Sequence, residues 1–193
     1  DLGAVRRWAR TGFAECAEAG LAPFPPSGDD EAELATFLGE RLRYLFQQRG
    51  FAHDEVNAVA GSRRGFLDAP LDARLRLEAL RRVRTSADFE ALAVAFKRVK
   101  NLARELRSGP AGTFDRLHEP AELALADEYA TRGEAIRAAS ARREYTEAFR
   151  LASGFRGAVD RFFTEVFVMV DDSALRDQRL TLVWQLHELM QDL

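Results

Sequence analysis

Apolar side chains recur every three to four residues through nearly the whole of this chain, and that period decides what it can fold into. After Asp30, the residues Leu34, Phe37, Leu38, Leu42, Leu45 and Phe46 keep the i, i+3, i+4 spacing of an amphipathic helix. Asp29 or Asp30 is placed to cap that helix and Gly50 to end it. Ile136 is the single isoleucine, and valine and threonine seldom cluster, so little favours strands. Phe167 to Val170 is apolar enough for a short strand, yet it continues the helical spacing of Val159, Phe162, Phe163 and Val166. The expectation is an all-α chain, a bundle of about seven to nine helices.

Breaker residues punctuate the pattern. A first helix runs from Leu2 to about Ala19, with Val5, Trp8, Ala9 and Phe13 on one face and Gly20 as its stop. Residues 21–28 carry Pro23, Pro25 and Pro26 and cannot continue a helix. Short helices are expected from His53 to Ala60 and, entered through Pro70 and Asp72, from Leu71 to Val83. Thr85 or Ser86 caps a long helix with Phe89, Leu92, Ala93, Phe96, Val99, Ala103 and Leu106 inward, closed by Ser108, Gly109 and Pro110. Pro120 suits a first helical turn. The remaining helices are expected at about 120–139, 142–153, 156–170 and 173–191, with Ser173 as the cap of the last. With 193 residues and no internal repeat, the chain reads as a single helical domain over 1–193, in which 1–28 form an N-terminal helix plus a proline-rich loop.

Several kinds of chemistry lack their residues. Cys16 is the only cysteine, which excludes an internal disulfide and reads as a small core filler in a reducing compartment. His53, His118 and His187 are far apart and none stands in a zinc or di-iron spacing, so no metal site is expected. No phosphate loop or dinucleotide fingerprint is present. The carboxylate pairs Asp29-Asp30 and Asp171-Asp172 adjoin helix starts, where negative charge suits the dipole better than acid-base work. No catalytic residues are therefore assigned. No apolar run approaches the length of a membrane span, and the start has neither a signal-peptide core nor an initiator methionine. A cytoplasmic piece of a longer chain is the expectation.

Charge is polarised. The formal net charge is -3, yet residues 63–107 hold 12 Arg or Lys against 6 Asp or Glu, a local excess that can draw a polyanion to one patch. Within it lies Phe96-Lys97-Arg98-Val99-Lys100-Asn101. On a helix Lys97, Lys100, Asn101 and Arg104 share one face while Phe96, Val99 and Ala103 point inward. Lysine and arginine hold phosphates by charge, and an asparagine amide can pair with a base edge. Arg98 points away from this strip and is placed to pair with an acidic neighbour within the bundle. Arg176 and Arg179 follow a helix start that favours anions, and Arg179 could equally buttress the fold. Tyr44, Phe51 and Tyr145 are candidate stacking groups.

The string Ala95-Phe96-Lys97-Arg98-Val99-Lys100-Asn101 resembles the Ala-x-Lys-Arg-Val-x-Asn string of bacterial glycyl-tRNA synthetase beta subunits. Phe114 to Glu122, with its Glu-Pro-Ala-Glu ending, and Tyr145-Thr146-Glu147-Ala148 are similar to further strings of that family, as are Val159-Asp160 with Phe162-Phe163, and Val168 to Arg176. Arg41-Leu42-Arg43 and Arg49-Gly50-Phe51 also fit, so the likeness spans roughly 30–190 in the same order. It departs at Gln178, where asparagine is expected before Arg179-Leu180. The resemblance implies an all-helical anticodon-binding domain of the DALR type that performs no chemistry. It implies glycine tRNA as ligand, gripped at its anticodon stem and loop by Lys97, Arg98, Lys100, Asn101, Arg104, Arg176 and Arg179. The rest of the beta region and the alpha subunit would be its partners, with neither membrane nor DNA among them. The domain would need no cofactor, since ATP and glycine would be used by the alpha subunit. The alternative is a helical protein-protein interaction module for subunit assembly, working through Leu180, Val183, Trp184 and Leu186.

Overall fold

In the computed structural model, which describes residues 2–20, 28–62, 65–103 and 114–193, nine helices and no strands are found among the described residues. They are α1 (Leu2–Glu18), α2 (Gly28–Gln48), α3 (His53–Ala60), α4 (Pro70–Val83), α5 (Ala87–Ala103), α6 (Pro120–Ala141), α7 (Tyr145–Ser153), α8 (Arg156–Glu165) and α9 (Ser173–Gln191). The all-α expectation holds. The chain packs as two compact units, residues 1–78 and 79–193, dividing within α4, where the sequence reads as one continuous domain.

In the first unit α2 stops at a glycine that adopts φ +82°, a backbone conformation costly for any side chain with a Cβ. The Phe51 amide then bonds back to the Phe46 carbonyl, 3.1 Å away, and turns the Phe51 ring into the core. Phe46 meets Phe51 and Phe66 edge-on, with centroids 5.9 and 5.7 Å apart. Val56, Val59, Ala73 and Leu77 complete this core, beside a buried Arg76 that is paired with Asp72 at 3.2 Å. The predicted α1 face departs from expectation: Val5, Trp8 and Phe13 are exposed, and so is Cys16, which fills no core. Asp29 and Asp30 fall inside the first turn of α2, not ahead of it.

In the second unit α5 is entered through Ser86, whose hydroxyl accepts from the Phe89 amide at 3.2 Å. Its buried stripe is Leu92, Ala95, Val99 and Ala103; Phe96 is half-buried and Ala93 faces out, because the stripe is centred one residue away from the predicted one. Leu106 and the predicted stop at Ser108 to Pro110 lie outside the described residues, as do Arg63, Arg64 and the loop prolines near 25. Helix α6 packs on α7, α8 and α9, while α5 packs on α7, α8 and α9. Tyr145, Phe149, Phe155, Phe162, Leu182 and Leu186 fill the space between.

Two boundaries here differ from the sequence expectation. Helix α8 stops at Glu165, not 170, and 166–172 is a non-helical strap leading into α9, with a tight turn in which the Val170 amide donates to the Val168 carbonyl at 3.1 Å. The cap of α9 is Asp172, not Ser173: its carboxylate accepts from the Ala174 and Leu175 amides at 2.9 and 3.2 Å. A carboxylate carries full negative charge to the positive helix end and wins the cap from a neutral hydroxyl.

Candidate nucleic-acid interface

The exposed side of α5 is what remains once its stripe is buried. Lys97, Lys100 and Asn101 stand on it, all exposed, and among the described residues neither lysine takes part in an ion pair. Arg104, expected to extend the strip, lies outside the described residues. An amide beside two ammonium groups offers charge for phosphate and a donor-acceptor pair for a base edge.

Arg98 leaves this face and clips α5 to α8. Its guanidinium lies 4.6 Å from the centre of the Phe163 ring and donates to the Phe163 carbonyl at 3.3 Å. The partner is an aromatic ring and a carbonyl, where the sequence suggests an acid. A second link, Arg156 to Asp88 at 2.9 Å, ties the starts of the same two helices.

Arg179 is a correction to the expected contact set. Only 4% of its side chain is exposed, and it forms an ion pair with Glu122, itself fully buried. The same guanidinium donates to the Phe167 carbonyl at 2.8 Å. Glu122 in turn accepts from the His118 and Glu119 amides, both at 3.0 Å, and so caps α6 while it holds α9. Burying two charges is tolerable here because almost every donor and acceptor has a partner. Arg176, half-buried, donates to the Val170 carbonyl at 3.1 Å. Both arginines therefore hold the strap by its backbone, and of the two only Arg176 reaches the surface.

Gln178, where the sequence departs from the expected asparagine, bridges the 114–119 turn to α9. Its carbonyl oxygen accepts from the Arg116 amide at 2.8 Å and its amide donates to Asp115 at 2.5 Å. Asp172 sits 3.6 Å from Arg116. The backbone amides of Leu175 and Ala174, with the nearby Arg116 and Arg176 charges, hold the Asp172 carboxyl below its ordinary range.

Other expected groups are placed elsewhere. Phe51 and Tyr145 are core and cannot stack on a ligand, whereas Tyr44 is exposed on α2. Leu180, Val183 and Leu186 are core and Trp184 is half-buried, so the α9 face suggested for subunit docking is not available as a set. His53 and His118 are exposed and His187 is half-buried, and among the described residues no group of three metal-ligating side chains comes together. Among them, too, no helix is long and apolar enough to cross a membrane. One residue that sequence reasoning missed is Phe167, which the helical pattern folds into α8 and which the strap turns outward. The period-two alternation of Val166, Val168 and Val170 with Phe167 and Met169 is the signal that could have found it.

A helical scaffold holding an uncovered cationic turn is the architecture of a helical binding domain. The chain belongs to the DALR anticodon binding domain family, which matches residues 92–193. It is similar to the glycine-tRNA ligase beta subunit of Ralstonia nicotianae, 39% identical over 93% of this chain and 26% of that one. It is also similar to those of Aromatoleum aromaticum, 35% identical over 98% of this chain and 26% of the relative, and of Acidithiobacillus ferrooxidans, 38% identical over 80% and 22%. The chain thus spans about a quarter of the length of the relatives it matches.

Proposed function

We propose that this chain binds the anticodon stem and loop of glycine tRNA as the non-catalytic, tRNA-binding part of a cytoplasmic glycyl-tRNA synthetase. The observation that carries the reading is the free Lys97, Lys100 and Asn101 face inside the segment that matches the anticodon-binding family. Activation of glycine with ATP belongs, on this reading, to the alpha subunit, and the partners of the domain are the rest of the beta region, that subunit and the tRNA. Neither DNA nor a membrane has a part in it. Phosphates meet Lys97, Lys100 and Arg104, with Arg176 as a further phosphate contact, and Asn101 reads a loop base that has left its stack. Arg98 and Arg179 act indirectly, by fixing α8 and the strap.

The test is a fluorescence-anisotropy titration of glycine tRNA transcripts, with native and substituted anticodons, against the chain and its Lys97→Ala, Lys100→Ala, Arg104→Ala variant. With about four phosphates neutralised, the logarithm of affinity falls against that of salt with a slope near -3, and the variant loses about 2 of it. Equal binding by every combination would remove the strip from the mechanism.

A second reading, a module for subunit assembly, is favoured by one observation in the first unit. Val5, Trp8 and Phe13 stand 56%, 79% and 58% exposed on α1. A Trp8→Glu, Phe13→Glu variant that no longer co-purifies with the alpha subunit, while binding tRNA as before, would assign assembly to that face.

A further inference from the structure

The strap between α8 and α9 alternates with a period of two. Val166 and Val168 are buried at 7% exposure each, while Phe167 and Met169 are turned out at 73% and 48%. Its backbone is fastened at two points, Phe167 to the buried Arg179 guanidinium and Val170 to Arg176. An exposed phenylalanine normally moves with its loop. This one hangs from a carbonyl held at 2.8 Å by a charged donor that is itself locked to Glu122.

Its position follows from two contacts. Asp88 meets Arg156 near the starts of α5 and α8, and Arg98 meets Phe163 further along both, so the two helices run side by side in the same direction. The strap therefore leaves α8 at the end of α5 that carries Lys97, Lys100 and Asn101. Phe167 follows Phe163 by four residues, a reach of at most about 14 Å. Of the acids flanking it, Glu165 pairs with Arg161 at 2.9 Å and Asp172 caps α9, while Asp171 faces solvent. A rigid aromatic face at the end of a cationic ridge matches an RNA loop, whose phosphates need charge and whose unstacked bases need a flat apolar surface.

We infer that Phe167, with Met169 beside it, is a stacking platform for an unpaired base of the RNA whose backbone lies along Lys97 and Lys100. This rests on the RNA-binding reading above and adds to it the group that receives the base. Stacking on a ring is tolerant of base identity, so Phe167 supplies affinity for an open loop and Asn101 supplies discrimination.

The experiment uses the whole chain and a glycine tRNA anticodon stem-loop with 2-aminopurine at successive loop positions, beside a fully paired hairpin of the same length. Phe167→Ala and Phe167→Trp are compared with a Lys97→Ala, Lys100→Ala pair. Phe167 is exposed, so its variants keep the thermal midpoint of the parent chain. Phe167→Ala is expected to weaken stem-loop binding about 5- to 150-fold, the range for one lost aromatic-base stack, with an unchanged salt slope. It also abolishes the 2-aminopurine quenching at one loop position, and Phe167→Trp restores both. The lysine pair reduces the salt slope instead. If Phe167→Ala binds the stem-loop as the parent does while the lysine pair binds weakly, the platform is overturned and the RNA reading stands. An equal loss on the paired hairpin likewise overturns the platform. If the parent chain does not bind the stem-loop at all, both fall together.

Discussion

Glu122 and Arg179 pair inside the second unit, and each also satisfies backbone groups, Glu122 the amides at the start of α6 and Arg179 a carbonyl of the strap. Removing one member leaves the other charged and desolvated. Arg179→Met is therefore expected to destabilise the chain by about 3–5 kcal/mol, read as a lower urea midpoint. Glu122→Gln keeps an oxygen for the His118 and Glu119 amides but strands the guanidinium. The double variant should lose less than the two single changes added together, because each single change leaves one unpaired buried charge and the double leaves none. An additive result would show that the pair does not act as a unit.

Helix α9 depends on Asp172 for its start. Asp172→Ala removes the acceptor for two amides and should lower the melting midpoint, seen in thermal melts followed by circular dichroism. The same cap makes a pH prediction. The folded-state affinity of Asp172 for its proton is lowered from an ordinary 3.8, so its contribution is fully present above that value and is lost as pH falls below it. Glu144 and Glu147, lowered from 4.5 by hydrogen bonds from Arg142 and Arg150, act in the same direction. The parent chain should lose stability below about pH 4 more steeply than the Asp172→Ala variant, measured as the melting midpoint at each pH. On α5, by contrast, the exposed lysines touch nothing that folding needs. Lys97→Ala with Lys100→Ala should leave the midpoint within about 0.5 kcal/mol of the parent, so any loss of RNA binding belongs to the interface.

At the scale of the molecule, two cores mean two reporters. Trp184 lies in the second unit and Trp8, exposed on α1, in the first. Leu182, fully buried, should cost about 2–5 kcal/mol when cut to alanine, lowering the urea midpoint reported by Trp184 emission. The far-ultraviolet circular dichroism of that variant reports helices of both units and should no longer superimpose on the Trp184 signal, since the first unit keeps its own phenylalanine core. Superimposed curves in both parent and variant would show one cooperative block.

Helical class, the glycine that ends α2, the serine that starts α5 and the exposure of Lys97, Lys100 and Asn101 were legible in the sequence, because each depends on neighbours within one or two turns. That Arg98 leaves the strip was legible too, but its partner, the choice between the two roles open to Arg179 and the exposure of Phe167 were not. A positive charge near a helix start reads the same whether it meets solvent or, 57 residues away in the chain, a buried glutamate. Apolar spacing likewise cannot say that α8 ends at Glu165 and that the next residues alternate, because two arginines on the following helix hold their backbone outside the helix. Local periodicity determines which segments become helices and which faces they hide. Only tertiary packing decides which charges are left facing water, since that depends on partners distant along the chain.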